Sequence, residues 1–176
     1  DSGNLFFTGD CSVGGTLTAS TGTTVFKGNL EAQDFVHNGG TAEFSGSQSQ
    51  NVTGANFTSL YRIYIDKPSS DIEFSGPVNF ADLNAAACRN ITFSKSVTGT
   101  GLSDSSDTVK ISSSGNILFL EGLSIEKGNF VVTGGNSLVV TGAFNLKAGN
   151  ADLDLDDGEI SFNQTVEITG NGILTG

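Results

Sequence analysis

A chain of 176 residues with 24 glycines, two prolines and neither methionine nor tryptophan is sized for one domain. Its 36% hydrophobic residues suit a thin, long core better than a round one. Nineteen acidic against eight basic residues give a net charge of −11, which argues against nucleic acid and anionic membrane surfaces as partners, since both need clustered Lys and Arg.

One short sentence repeats along the chain. In order it reads Leu5-Phe6-Phe7-Thr8-Gly9, Thr24-Val25-Phe26-Lys27-Gly28, Ala42-Glu43-Phe44-Ser45-Gly46, Ile72-Glu73-Phe74-Ser75-Gly76, Ile91-Thr92-Phe93-Ser94-Lys95, Ile117-Leu118-Phe119-Leu120-Glu121, Leu138-Val139-Val140-Thr141-Gly142 and Ile160-Ser161-Phe162-Asn163-Gln164. The central positions are separated by 19, 18, 30, 19, 26, 21 and 22 residues. A period near ~20 residues, carried by short alternating strands, specifies a solenoid. The copies predict that Phe7, Phe26, Phe44, Phe74, Phe93, Phe119 and Phe162 stack in one internal ladder.

Two stretches break the rhythm. Residues 45–71, with Tyr61-Arg62-Ile63-Tyr64-Ile65 followed by Pro68, exceed one rung, as do residues 94–116 with Ser103-Asp104-Ser105-Ser106-Asp107. Both are expected to project as loops. The last third is the most regular. Ile117-x-Phe119-x-x-x-Leu123-x-Ile125 recurs as Leu138-x-Val140-x-x-x-Phe144-x-Leu146 and as Ile160-x-Phe162-x-x-x-Val166-x-Ile168. Apolar residues alternate, skip three positions and alternate again, which marks a strand, a corner and a strand. Gly-Asn pairs then supply a second bend, and a third short strand follows. A ladder of Asn after Gly is expected outside or at the corners. Cys11 and Cys88 lie about four coils apart, or ~19 Å at the ~4.8 Å strand spacing, too far for a disulfide.

Few residues carry chemistry. Asp152, Asp154, Asp156 and Asp157 form the densest charge run. A weak calcium site at Asp154, Asp156 and Asp157 is the functional reading, but the sixth position of an EF-hand-like loop needs Gly, and Asp157 stands there. Alternation reads the same residues as an outer strand face. No cofactor is otherwise implied. His37, the one histidine, has no nucleophile motif beside it. Glu43 and Glu73 share a register one position before the Phe and read as outward pairs rather than as the two carboxylates of a glycosidase. Asn51, Asn56, Asn90 and Asn163 head Asn-x-Thr sequons. The best contact surface is Arg62 with Tyr64 on one side of a strand and Lys67 nearby, because Tyr and Arg are enriched at binding hot spots. Isolated Thr16-x-Thr18 and Thr98-x-Thr100 pairs are too few for a flat ice-binding array.

Asn90-Ile91-Thr92-Phe93-Ser94-Lys95-Ser96-Val97-Thr98-Gly99, Gly115-Asn116-Ile117-Leu118-Phe119, Thr41–Gly54 and Ile72–Val78 resemble the repeats of filamentous-haemagglutinin-like and autotransporter-passenger-like bacterial surface proteins. The resemblance implies a right-handed parallel β-helix, export across a bacterial envelope and display outside the cell. Residues 1–176 are therefore expected to form a single all-β solenoid domain, a fragment of a larger secreted protein. It should have about eight coils of roughly 18–30 residues, with three short strands per coil. The leading functional expectation is a non-enzymatic adhesin shaft or passenger fragment. Its partners would be a host or sister-cell surface protein or glycan and the neighbouring repeats of the parent chain, with no membrane insertion. The alternative is a glycan-binding or glycan-cleaving β-helix of tail-spike or lyase type.

Overall fold

The computed structural model describes residues 3–36, 38–54, 57–95, 97–99, 108–113, 116–125, 129–133, 137–146, 150–154, 159–164, 166–168 and 173–175. Every strand pairing among them is parallel. The protein is a parallel β-solenoid. Among the described residues no helix is long and apolar enough to cross a membrane.

Three faces wrap a narrow core. Face I is an eight-stranded sheet running from Cys11–Thr18 to Ile160–Phe162, one strand for each of eight coils. A thirteen-stranded sheet supplies the other two faces. Face II holds Val97–Gly99, Gly122–Ile125, Ala143–Leu146 and Val166–Ile168. Face III starts with Leu5–Phe7, Thr23–Phe26 and Thr41–Ser45 and ends with Thr108–Ser113, Asn129–Thr133, Asn150–Asp154 and Ile173–Thr175. The ten-residue strands Phe57–Asp66 and Val78–Ala87 join faces II and III. Val78–Phe80 pairs with face II, whereas Asp82–Ala85 pairs with face III. Three separate short strands per coil therefore hold from Asn90 onward. Upstream, in Phe57–Asp66 and Val78–Ala87, no Gly-Asn pair separates faces II and III and the two strands fuse.

This arrangement corrects two expectations. The first concerns the aromatic ladder, which is two columns instead of one. Phe7, Phe26 and Phe44 align on face III and continue as Ile65. Phe74, Phe93 and Phe119 align on face I and continue as Val140 and Phe162. Upstream of Phe74 that column holds Val52, Leu30 and Cys11. The columns meet across the core where Phe44 and Phe74 lie 5.4 Å apart at 89°. Within each column the rings stack nearly flat, with Phe74–Phe93 and Phe93–Phe119 both at 4.9 Å. Phe162 instead packs against Phe144 of face II, at 5.0 Å.

The second correction concerns residues 45–71, whose described residues hold no projecting insertion. The strands Gln50–Thr53 and Phe57–Asp66 occupy most of them. The 30-residue gap from Phe44 to Phe74 is one full coil plus the step from face III to face I. Counted along face I from Cys11, the steps are 19, 22, 22, 19, 26, 21 and 22 residues. The single long step, Phe93 to Phe119, contains the expected Ser103–Asp107 bulge, which lies outside the described residues.

The core is apolar with few exceptions. Thr24 is fully buried in the inward column between Leu5 and Ala42, and its hydroxyl oxygen has no hydrogen-bond partner. Leaving a buried hydroxyl unpaired costs about 1–3 kcal/mol, so Thr24→Val, which keeps the shape, should raise unfolding free energy by about 1 kcal/mol in urea melts. Both cysteines are buried and free.

Candidate functional site

Parallel stacking converts each outward position into a column. On face III one column runs Phe6, Val25, Glu43, Tyr64 and Asn84, and a second runs Thr23, Thr41, Arg62 and Asp82. Arg62 is exposed and Tyr64 half-buried, so these two predicted contact residues share one outer surface. Beside them lies a concavity of about 520 Å³ lined by Phe6, Val25, Lys27, Glu43, Ser45 and Asp66. Phe6 is 66% exposed, the most exposed large hydrophobic among the described residues. Sequence reasoning passed over it, yet the signal was present. In Leu5-Phe6-Phe7 alternation lets only one Phe face the core. An exposed aromatic that shares this concavity with Lys27, Glu43 and Asp66 has the make-up of an apolar contact centre with a polar rim.

Lys67 does not belong to this surface. The strand ends at Asp66, and the next side chain turns into the corner, where it is fully buried. Its ammonium donates to the backbone carbonyls of Gln48 at 2.5 Å and Gly46 at 3.4 Å, both in the preceding coil. Burial lowers its pKa, while the neighbouring Cys88 works in the opposite direction. The corner repeats this device. Gln50 donates to the carbonyls of Phe26 at 2.9 Å and Gly28 at 2.6 Å. The Cys88 thiol points at the carbonyl of Ser70, at 3.6 Å. Each coil thus satisfies turn carbonyls that the coil before it leaves without strand partners.

Burial pushes the Cys88 thiol up to about 11, with Asp71 adding to the rise and Lys67 opposing it. In the unfolded chain the thiol ionises first, near its ordinary value of 9.0. Stability present below that pH is therefore lost as pH climbs toward about 11, by at most about 2–3 kcal/mol. The lowered pKa of Lys67 acts in the opposite sense, so the comparison of interest is with Cys88→Ala. Urea melts across this range should show a shallower alkaline decline in that variant.

A polar ladder marks the outer edge of face I. The Asn90 amide donates to Asp71 at 2.8 Å, the Asn116 amide to Asn90 at 3.2 Å, and the Ser137 hydroxyl to Asn116 at 3.1 Å. Arg89 forms a two-pronged ion pair with Asp71 and lowers its pKa. Only two members of this column are Asn, and only Asn116 follows a Gly, so it differs from the ladder of Asn after Gly that the sequence predicts.

The remaining predicted residues separate. Glu43 lies on face III and Glu73 on face I, so their shared place in the sentence does not make them neighbours. Asp154 ends a face III strand, whereas Asp156, Asp157 and His37 lie outside the described residues. Among the described residues, no group of three or more His, Cys, Asp or Glu comes together. Of the sequon residues, Asn51 and Asn163 are exposed, Asn90 sits in the polar ladder, and Asn56 lies outside the described residues. No family model matches the chain, and no curated protein or solved structure does.

Proposed function

We propose that the chain is a non-enzymatic segment of a secreted or surface-displayed bacterial protein, an adhesin shaft or passenger fragment. Face III would act as its lateral contact surface toward a surface protein of a host or sister cell. The reading rests on one observation, the outer column of face III that places exposed Phe6 and half-buried Tyr64 in line beside Arg62. Parallel coils fix such a column rigidly, and rigid aromatic and Arg side chains are the residues that dominate protein contacts. The shaft role draws on the same stacking, since backbone groups in one coil pair with the coils on either side.

The test is binding of the labelled segment to host and sister cells. Phe6→Ala and Tyr64→Ala should each weaken binding by about tenfold or more, and Thr53→Ala, exposed on face I, should leave it unchanged. Binding indifferent to both aromatic changes would remove the contact role. Release of reducing sugar from any polysaccharide would overturn the non-enzymatic reading.

A further inference from the structure

Face I carries a second feature, independent of the face III column. Its outward side chains form two walls with a straight groove of about 510 Å³ between them. One wall is Ser49 followed by the polar ladder of Asp71, Asn90, Asn116 and Ser137. The other runs Asn51, Glu73, Thr92, Leu118 and Val139. The groove crosses five coils, four steps of ~4.8 Å, or about 19 Å along the solenoid axis.

We infer that this groove binds an unbranched, uncharged β-linked oligosaccharide laid lengthwise along the solenoid. Three properties of the walls select that ligand. The first is the repeat. One hydrogen-bonding side chain recurs at each ~4.8 Å step, whereas an extended peptide presents like-facing groups every ~6.6 Å, twice its rise per residue, and drifts out of register. In a β-1,4-linked pyranose chain successive rings are flipped, so like-facing hydroxyls recur every two rings, close to two coil steps, and each single step still meets a hydroxyl-bearing ring edge. The second is charge. Glu73 stands in the groove, while Asp71 is neutralised by its pair with Arg89, and the chain carries a net charge of −11, which disfavours uronate or sulfated polymers. The third is the change of character along the second wall, from Asn51, Glu73 and Thr92 to the half-buried Leu118 and Val139. A sugar ring offers hydroxyls at its edge and C–H groups on its face, so polar and apolar walls both find partners. An Asn amide has two N–H donors. Among the described residues the ladder uses one from Asn90 and one from Asn116, which leaves a second on each for a ring hydroxyl.

Titration calorimetry with cello-oligosaccharides of increasing length tests the inference. Affinity should rise with each added ring up to about four, the length of the groove, and then level off. Leu118→Arg and Thr92→Arg, which place a long side chain across the channel, should each weaken binding by about tenfold or more. Asn84→Arg on face III should not. Circular dichroism melts of each variant show whether it is folded, and loss of binding in a folded Thr92→Arg protein supports the site even where Leu118→Arg fails to fold. Absence of heat with the hexamer at millimolar concentration would overturn the inference. So would equal affinity for glucose and hexamer, preference for a polyuronate, or full binding by both arginine variants. None of these results bears on the face III surface, which is read by its own substitutions.

Discussion

Phe93→Ala is expected to lower unfolding free energy by about 3–5 kcal/mol, measured by urea denaturation. Phe93 is fully buried and touches three rings, Phe74 at 4.9 Å, Phe119 at 4.9 Å and Phe80 at 6.0 Å. Truncation removes the burial of one side chain, worth about 1.5–3 kcal/mol, and the ring contacts on both sides of the gap. The coils above and below are held by backbone bonds at fixed spacing, so they cannot close the cavity. Phe7→Ala provides the contrast. Phe7 is only partly buried and its one described ring contact is Phe26, at 5.1 Å, and its loss should cost less than half as much. Equal costs at the two positions would mean that ring stacking does not set the stability of the middle coils.

The second large effect is expected at a corner. Gly122 has a φ of +114°, a conformation that side chains oppose by roughly 1–2 kcal/mol. A Cβ placed there would also collide with the backbone carbonyl of Ala143 in the next coil. Gly142 faces the reciprocal problem, because its Cβ would strike the backbone of Glu121 and Gly122. The two glycines let adjacent turns pass at strand spacing. Gly122→Ala therefore combines backbone strain with overpacking, about 1–3 kcal/mol more, for a total of about 2–5 kcal/mol. Thermal melts followed by circular dichroism would register it. Gly9→Ala, where a Cβ meets nothing within 4 Å, should be near neutral.

The solenoid was legible because its signals are local. In Ile72-Glu73-Phe74 and Ile91-Thr92-Phe93 the alternation gives both the strand and its buried side, and the register matches residue for residue. The phase of the repeat was not legible. The sentence around Phe44 and that around Phe74 look alike because each face has an apolar inner side, so the same words serve face III and face I. Only the pairing of Val52 with Phe74 reveals the change. Lys67 escaped for a different reason. Its partners, the carbonyls of Gly46 and Gln48, are backbone atoms of another coil, and no side-chain pattern announces them. The outer column joining Phe6 to Tyr64 likewise needs the register of four strands before it exists as a surface.

The passage of the aromatic sentence from one face to another bears on how such a chain can lengthen. Insertion of a single strand with its bend, less than one winding, is absorbed without exposing the core, since any of the three walls accepts the same inward residues. Everything downstream is then turned by a third of a revolution about the long axis. Segments that share wording along the sequence come to look out in different directions, so growth by small pieces can redistribute surface features around the rod while its interior stays continuous.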